Sequence, residues 1–106
     1  MGKYLIEASY TVEGVKGVMK AGGSARKAAA KELVESVGGT MEAFYFGFGK
    51  TDAYVLCDVP DAASIVALSM AVNASGMVTG RVVPLITSEE IDAAAKKTVK
   101  YRVPGA

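Results

Sequence analysis

The chain has 106 residues, 51% of them hydrophobic, with a formal net charge of +1, one cysteine and no histidine. That length fits one domain with a modest core, and the interleaved charges leave no basic footprint for nucleic acid or an anionic membrane. Without histidine, Ser-His and Cys-His catalysis and the usual zinc and iron sites are excluded, and the lone Cys57 excludes an intrachain disulfide.

The first strand is predicted from about Lys3 to Ser9, ending near Tyr10-Thr11. Val12, Val15, Val18 and Met19 follow at helical spacing, up to a break at Ala21-Gly22-Gly23. A stronger helix is predicted from Ser24, a suitable N-cap, to Val37. Ala29, Ala30, Leu33, Val34 and Val37 form its apolar face, with Arg26, Lys27, Lys31, Glu32 and Glu35 toward water. Gly38-Gly39 ends it by a left-handed turn.

A hairpin comes next: a strand from Thr40 to Phe48, a turn at Gly49-Lys50-Thr51 and a second strand from Asp52 to Val59. Gly49-Lys50-Thr51 has the look of a phosphate-loop tail. Phe44, however, stands where that loop requires its first glycine, and a strand follows where it requires a helix, so these residues read as a turn with positive φ at Gly49. Cys57 falls in the alternation Ala53, Val55, Cys57, Val59 and reads as a buried strand residue.

Pro60 stops that strand, and Asp61 caps a helix from Ala62 to Ala74 whose only polar residues are Ser64, Ser69 and Asn73. So apolar a helix is expected to be covered on more than one side. Gly76 ends it, and Met77 to Ile86 reads as the fourth strand. Thr87-Ser-Glu-Glu90 has the form of a capping box opening a short helix to about Lys97. Val99, Tyr101 and Val103 then alternate with Lys100 and Arg102, the pattern of an edge strand.

The order β-α-β-β-α-β, with an added C-terminal helix and tail, predicts an α+β, ferredoxin-like domain spanning 1–106, its core at 3–91 and the helix and tail at 88–106. Both main helices lie on one face of an antiparallel sheet in the order 4-1-3-2. Strand 2 is apolar on both alternations, Phe44, Phe46 and Phe48 against Met41, Ala43 and Tyr45, and strand 4 repeats this with Val78, Val82 and Ile86 against Met77, Val83 and Leu85. The helix-free face would therefore be apolar, so a second subunit is expected to cover it in a homodimer or higher homo-oligomer.

The residues Tyr10-Thr11 with Gly14, Arg26, Gly38-Gly39, Phe44-Tyr45, Gly49 with Asp52, Pro60-Asp61, Gly76 with Val78 and Thr79, and Thr87 with Glu89 and Glu90 keep a recognisable order and spacing. On these the chain resembles GYD-domain proteins from about Tyr4 to Ile91. The resemblance implies a dimeric α+β barrel; the family's biochemical function is not established. Thr51 stands where the G-x-Y-D pattern has tyrosine, so no role of that phenol carries over.

Strand parity puts Asp52, Tyr54 and Asp58 opposite the helices, with Glu7, Tyr45 and Arg81 on the same open face. Candidate ligand-binding residues are Glu7, Tyr10, Tyr45, Asp52 and Arg81. Arg81 reads either as an anion clamp or as a structural partner of Glu7. Asp52 reads as a turn cap or a general base, and Tyr10 and Tyr45 as ligand donors or interface packing. The stretch from Lys20 to Arg26 reads as a helix break or an anion cradle.

The resulting expectation is a homo-oligomer binding a small anionic or aromatic molecule in an inter-subunit cleft, with no metal or cofactor and no nucleic-acid or membrane partner. A cofactor-free enzyme of the dimeric-barrel class and a structural or assembly component are the alternatives. With no signal pattern and no apolar run near the ~20 residues of a membrane span, a soluble, cytoplasmic protein is expected.

Overall fold

A computed structural model describes residues 2–47 and 49–106. The strictly alternating burial of its central strands shows how the sheet is organised. In β3 (Ala53–Val59) every odd position is buried and every even one half-buried. β3 pairs antiparallel with both β1 (Gly2–Tyr10) and β2 (Thr40–Phe46), while β4 (Val78–Leu85) pairs antiparallel with β1 on its other side. The resulting order is β2-β3-β1-β4, the predicted ferredoxin-like arrangement. Phe48, placed by the sequence at the end of the second strand, lies outside the described residues.

Helices α1 (Val12–Ala21), α2 (Gly23–Ser36) and α3 (Ala62–Ala74) form the connections, and α4 (Ser88–Ala95) follows β4. α2 ends as expected, with Gly38 at a φ of 81°. The N–H of Gly38 donates to the Glu35 carbonyl and that of Gly39 to the Val34 carbonyl, the paired bonds of a Schellman stop. Its start differs from expectation. Gly22 occupies the cap position and no side chain caps the helix, because α1 runs up to Ala21 and leaves Ser24 already inside the helical turn. The Asp61 cap of α3 and the Thr87/Glu90 capping box of α4 form as predicted.

The core lies between the sheet and the helices: Ile6, Val55, Cys57 and Val59 from the strands meet Val34 of α2 and Ile65 and Leu68 of α3. Tyr4, Leu33, Val37, Met41, Phe44, Val72 and Val82 close around this cluster. The place of Met41 corrects the sequence reading. Met41 opposes Cys57 and Ala43 opposes Leu56, so Glu42 is the extra residue of a β-bulge. The bulge reverses the parity, and Met41 turns to the helix side with Phe44.

Two further expectations change. α3 buries Ile65 and Leu68 but leaves Val66 at 53% and Met70 at 66% exposure, so within one chain it is covered on a single side. The tail carrying Val99, Tyr101 and Val103 forms no strand and stays exposed, since neither edge of the sheet pairs with it. Among the described residues no helix is long and apolar enough to cross a membrane.

Candidate functional site

Register brings three of the five candidate residues into one line. Tyr45 opposes Tyr54, Tyr54 opposes Glu7, and Glu7 opposes Arg81, so the row crosses all four strands on the helix-free face. An Nη2 hydrogen of Arg81 reaches the Glu7 carboxylate, the N···O distance being 3.2 Å. Glu7 is the more buried partner, with 22% of its side chain exposed against 64% for Arg81. One edge of the guanidinium is thus engaged within the chain and the rest stays open to solvent.

A second ionic group lies four residues along β1, on the same face. Lys3 bonds to Glu42, displaced outward by the bulge, and lies 3.6 Å from Asp58. The hydrogen bond to Glu42 is the main reason the Lys3 ammonium titrates above its ordinary 10.5, with the Asp58 and Glu42 charges adding to it. Leu5, Leu56 and Val83 share register between the two ionic rows. The open face is therefore an apolar band between charged rows, narrower than the apolar patch expected from strands 2 and 4.

The other two candidates take different places. Asp52 sits at the end of the hairpin connection, where its carbonyl accepts from the Gly47 N–H at 2.8 Å and its N–H donates to the Ala8 carbonyl at 2.9 Å. Its carboxylate accepts the Tyr10 backbone N–H at 2.9 Å. The side chain latches the loop to β1, and the turn-capping role expected of it falls to its backbone. Gly49 has the expected positive φ, at 159° close to extended, but β2 ends at Phe46 and β3 begins at Ala53, so the connection is a wider loop than the tight turn expected. Thr51 is 7% exposed and leads directly into β3, which leaves the Gly49-Lys50-Thr51 string without the helix a phosphate loop needs.

Tyr10 opposes Val78 and points to the helix side, away from Glu7, Tyr45 and Arg81. There it lines a cavity of about 410 Å³ between α1, α2, α3 and the start of β4. Arg26 lines the same cavity; the sequence reading assigned its side chain to water and offered an anion role only for the Lys20–Arg26 stretch as a whole, without placing it at a cavity. The signal was present: Arg26, Ala29, Ala30 and Leu33 stand at i, i+3, i+4 and i+7, so they share one helical stripe.

The joint beside this cavity explains several of the resembling residues physically. Thr11 caps α1 through the Gly14 N–H, and its own N–H donates to the Met77 carbonyl at 3.0 Å. A Cβ on Gly14 would collide with that carbonyl oxygen. Asn73 clamps the far edge of β4, accepting from the Gly80 N–H at 3.0 Å and donating to its carbonyl at 3.3 Å. Cys57 is fully buried, and that burial first of all raises its thiol pKa, leaving a core residue of low reactivity. No three carboxylate or thiol side chains converge as metal ligands among the described residues.

In comparison with known proteins, the family model described as the GYD domain matches residues 4–95. No curated protein and no solved structure matches the chain.

Proposed function

Since the chain belongs to the GYD-domain family, we propose that it works as a homo-oligomer that holds a small molecule in a cleft between subunits. The observation carrying this reading is the Tyr45, Tyr54, Glu7, Arg81 row beside the Leu5, Leu56, Val83 band on a face no helix covers. Two such faces packed about a two-fold axis bury the apolar band at the centre and leave the polar rows toward its ends. Tyr45, 71% exposed, then offers an aromatic surface and a phenol, and the free edge of Arg81 offers a planar fork to a carboxylate or phosphate. The Glu7–Arg81 pair fixes the guanidinium in place before any ligand arrives.

A purely structural reading draws on a different observation, the bare Val66 and Met70 of α3 and the exposed tail residues Val99, Tyr101 and Val103. In that reading these surfaces make contacts of a larger assembly and the cleft is filled by side chains.

Light scattering at micromolar concentration tests the assembly, with a dimer or higher oligomer expected and a monomeric mass overturning it. A crystal structure of protein purified from its native host tests the cleft. Ordered ligand density beside Tyr45 or Arg81 is the expected result, and a cleft packed solid with Leu and Val would leave the structural reading.

A further inference from the structure

The concavity on the helix side lies on the opposite face of the sheet from the proposed cleft and is formed by one chain alone. We propose that this cavity binds a small apolar monocarboxylate, with Arg26 as its anion anchor. Its volume of about 410 Å³ falls within the range of small-molecule sites, roughly 300–1,000 Å³. Its wall is mainly small and apolar, including Gly17, Val18, Ala21 and Ala71, with a few polar groups among which Arg26 carries the positive charge.

Arg26 is half-buried on the apolar stripe of α2, and no carboxylate lies within 4.0 Å of it among the described residues. A guanidinium drawn against an apolar wall without a counter-ion is unfavourable, and a bidentate carboxylate satisfies both its charge and its fork. Glu13, the acid of the same wall, is 3.6 Å from Lys16 and so has its own partner. Its presence also disfavours a dianion such as phosphate.

Below Arg26 the cavity continues into a narrower pocket of about 80 Å³ that reaches Phe44 and Leu68. Tyr10, Arg26, Leu33, Val72 and Val78 line both spaces, which puts Arg26 at their junction. A flat apolar body fits the wider space with its carboxylate at that junction.

Gly17 supplies an independent observation. It stands mid-helix in α1, where glycine is unfavourable, and a Cβ there would meet nothing within 4 Å. Among the described residues no packing requires glycine at this position, and its lack of a side chain widens the cavity it lines.

The probe is 2-naphthoate, compared with neutral 2-naphthamide by calorimetry and by backbone amide shifts on the intact chain. Naphthoate is expected to bind at least about tenfold more tightly than the amide. Arg26→Gln should remove that preference, while Lys27→Gln, which deletes the neighbouring exposed charge, should keep it. Gly17→Leu fills the cavity and should abolish binding of both compounds, with circular dichroism reporting the fold; Gly17→Ala is the milder variant should leucine perturb it. Shifts should concentrate at Gly14, Gly17 and Ala71.

Equal affinity for acid and amide, or no naphthoate binding tighter than about 1 mM, overturns the proposal. So does unimpaired binding in a folded Gly17→Leu variant, or an unchanged preference for the acid in folded Arg26→Gln. Shifts confined to Glu7, Tyr54 and Leu56 would overturn it as well and assign the ligand to the cleft between sheets. A monomeric protein that binds naphthoate through Arg26 would sink the assembly reading alone, because every lining residue here belongs to one chain.

Discussion

The two faces of this sheet share the same strands but differ in chemistry and in fate. On the helix side Ile6, Val55, Cys57 and Val59 are each 7% exposed or less, sealed by α2 and α3. On the other side their immediate neighbours Leu5, Leu56 and Asp58 remain half-buried, shielded only by cross-strand neighbours. Within one chain, stability is therefore concentrated on one face. The other face holds its charges in pairs, Glu7 with Arg81 and Lys3 with Glu42, which keeps them ordered without closing the surface. The helix-covered face fixes the fold, and the bare one is free to serve assembly.

Substitutions should reproduce that asymmetry. Leu68→Ala, at a side chain 2% exposed between α3 and the sheet, should cost about 2–5 kcal/mol in urea unfolding, the range for an unfilled core cavity. Asp52→Ala strips the Tyr10 N–H of its charged acceptor and should cost about 1.5–3 kcal/mol, with faster amide exchange at Tyr10. Gly14→Ala forces α1 away from the Met77 carbonyl and should cost about 1–3 kcal/mol, the range for overpacking, despite the better helix propensity of alanine. A thermal midpoint equal to wild type for Gly14→Ala would show that the joint beside the cavity yields freely.

On the open face, the expected change is in mass more than in stability. Leu56→Glu places a carboxylate in the middle of the apolar band while every helix-side contact is kept. Unfolding of the isolated chain should change by about 1 kcal/mol, the centre of the range for point substitutions, because Leu56 is half-buried. If the proposed two-fold packing exists, this variant should be monomeric by light scattering. An oligomer of wild-type mass would place the interface elsewhere, on the bare side of α3 or along the tail.

How far the sequence could be read follows the same division. Strand parity in β1 and β3 was legible because a period of two leaves one assignment once Cys57 faces inward. That parity led directly to the Glu7–Arg81 pair and to the line it shares with Tyr45 and Tyr54. The caps at Asp61 and Thr87 were equally readable, since each rests on bonds spanning three residues. The bulge at Glu42 was not readable: one extra residue shifts Met41 to the other face, and only pairing with β3 reveals it. Tyr10 and Arg26 were misplaced for a related reason. A polar side chain on an inward stripe shows itself only when the opposing helix leaves a gap, and that gap depends on how α1 packs against Met77. The tail kept a strand-like alternation that finds no partner among the described residues.

The mildest test separates the faces by pH. Asp61, at the start of the helix that covers the core, titrates below its ordinary 3.8 because it accepts the hydrogen bonds of Ser64. A depressed folded-state pKa gives a contribution present above 3.8 and lost as pH falls below it. Lys3, on the open face, titrates above 10.5, so its contribution is present below 10.5 and lost as pH rises past it. Asp61→Ala should therefore flatten only the acid limb of a stability profile, measured as the difference from wild type, and Lys3→Met only the alkaline limb. Both side chains are well solvated, so raising the salt concentration should shrink the Lys3 difference, which rests on ion pairing. The Asp61 difference should persist because its causes are short-range hydrogen bonds, first from the Ser64 side chain and then from the Ser64 N–H. Equal salt sensitivity of the two limbs would mean that the ordering of the open face depends on the helix-covered one, and the two faces would no longer be separable.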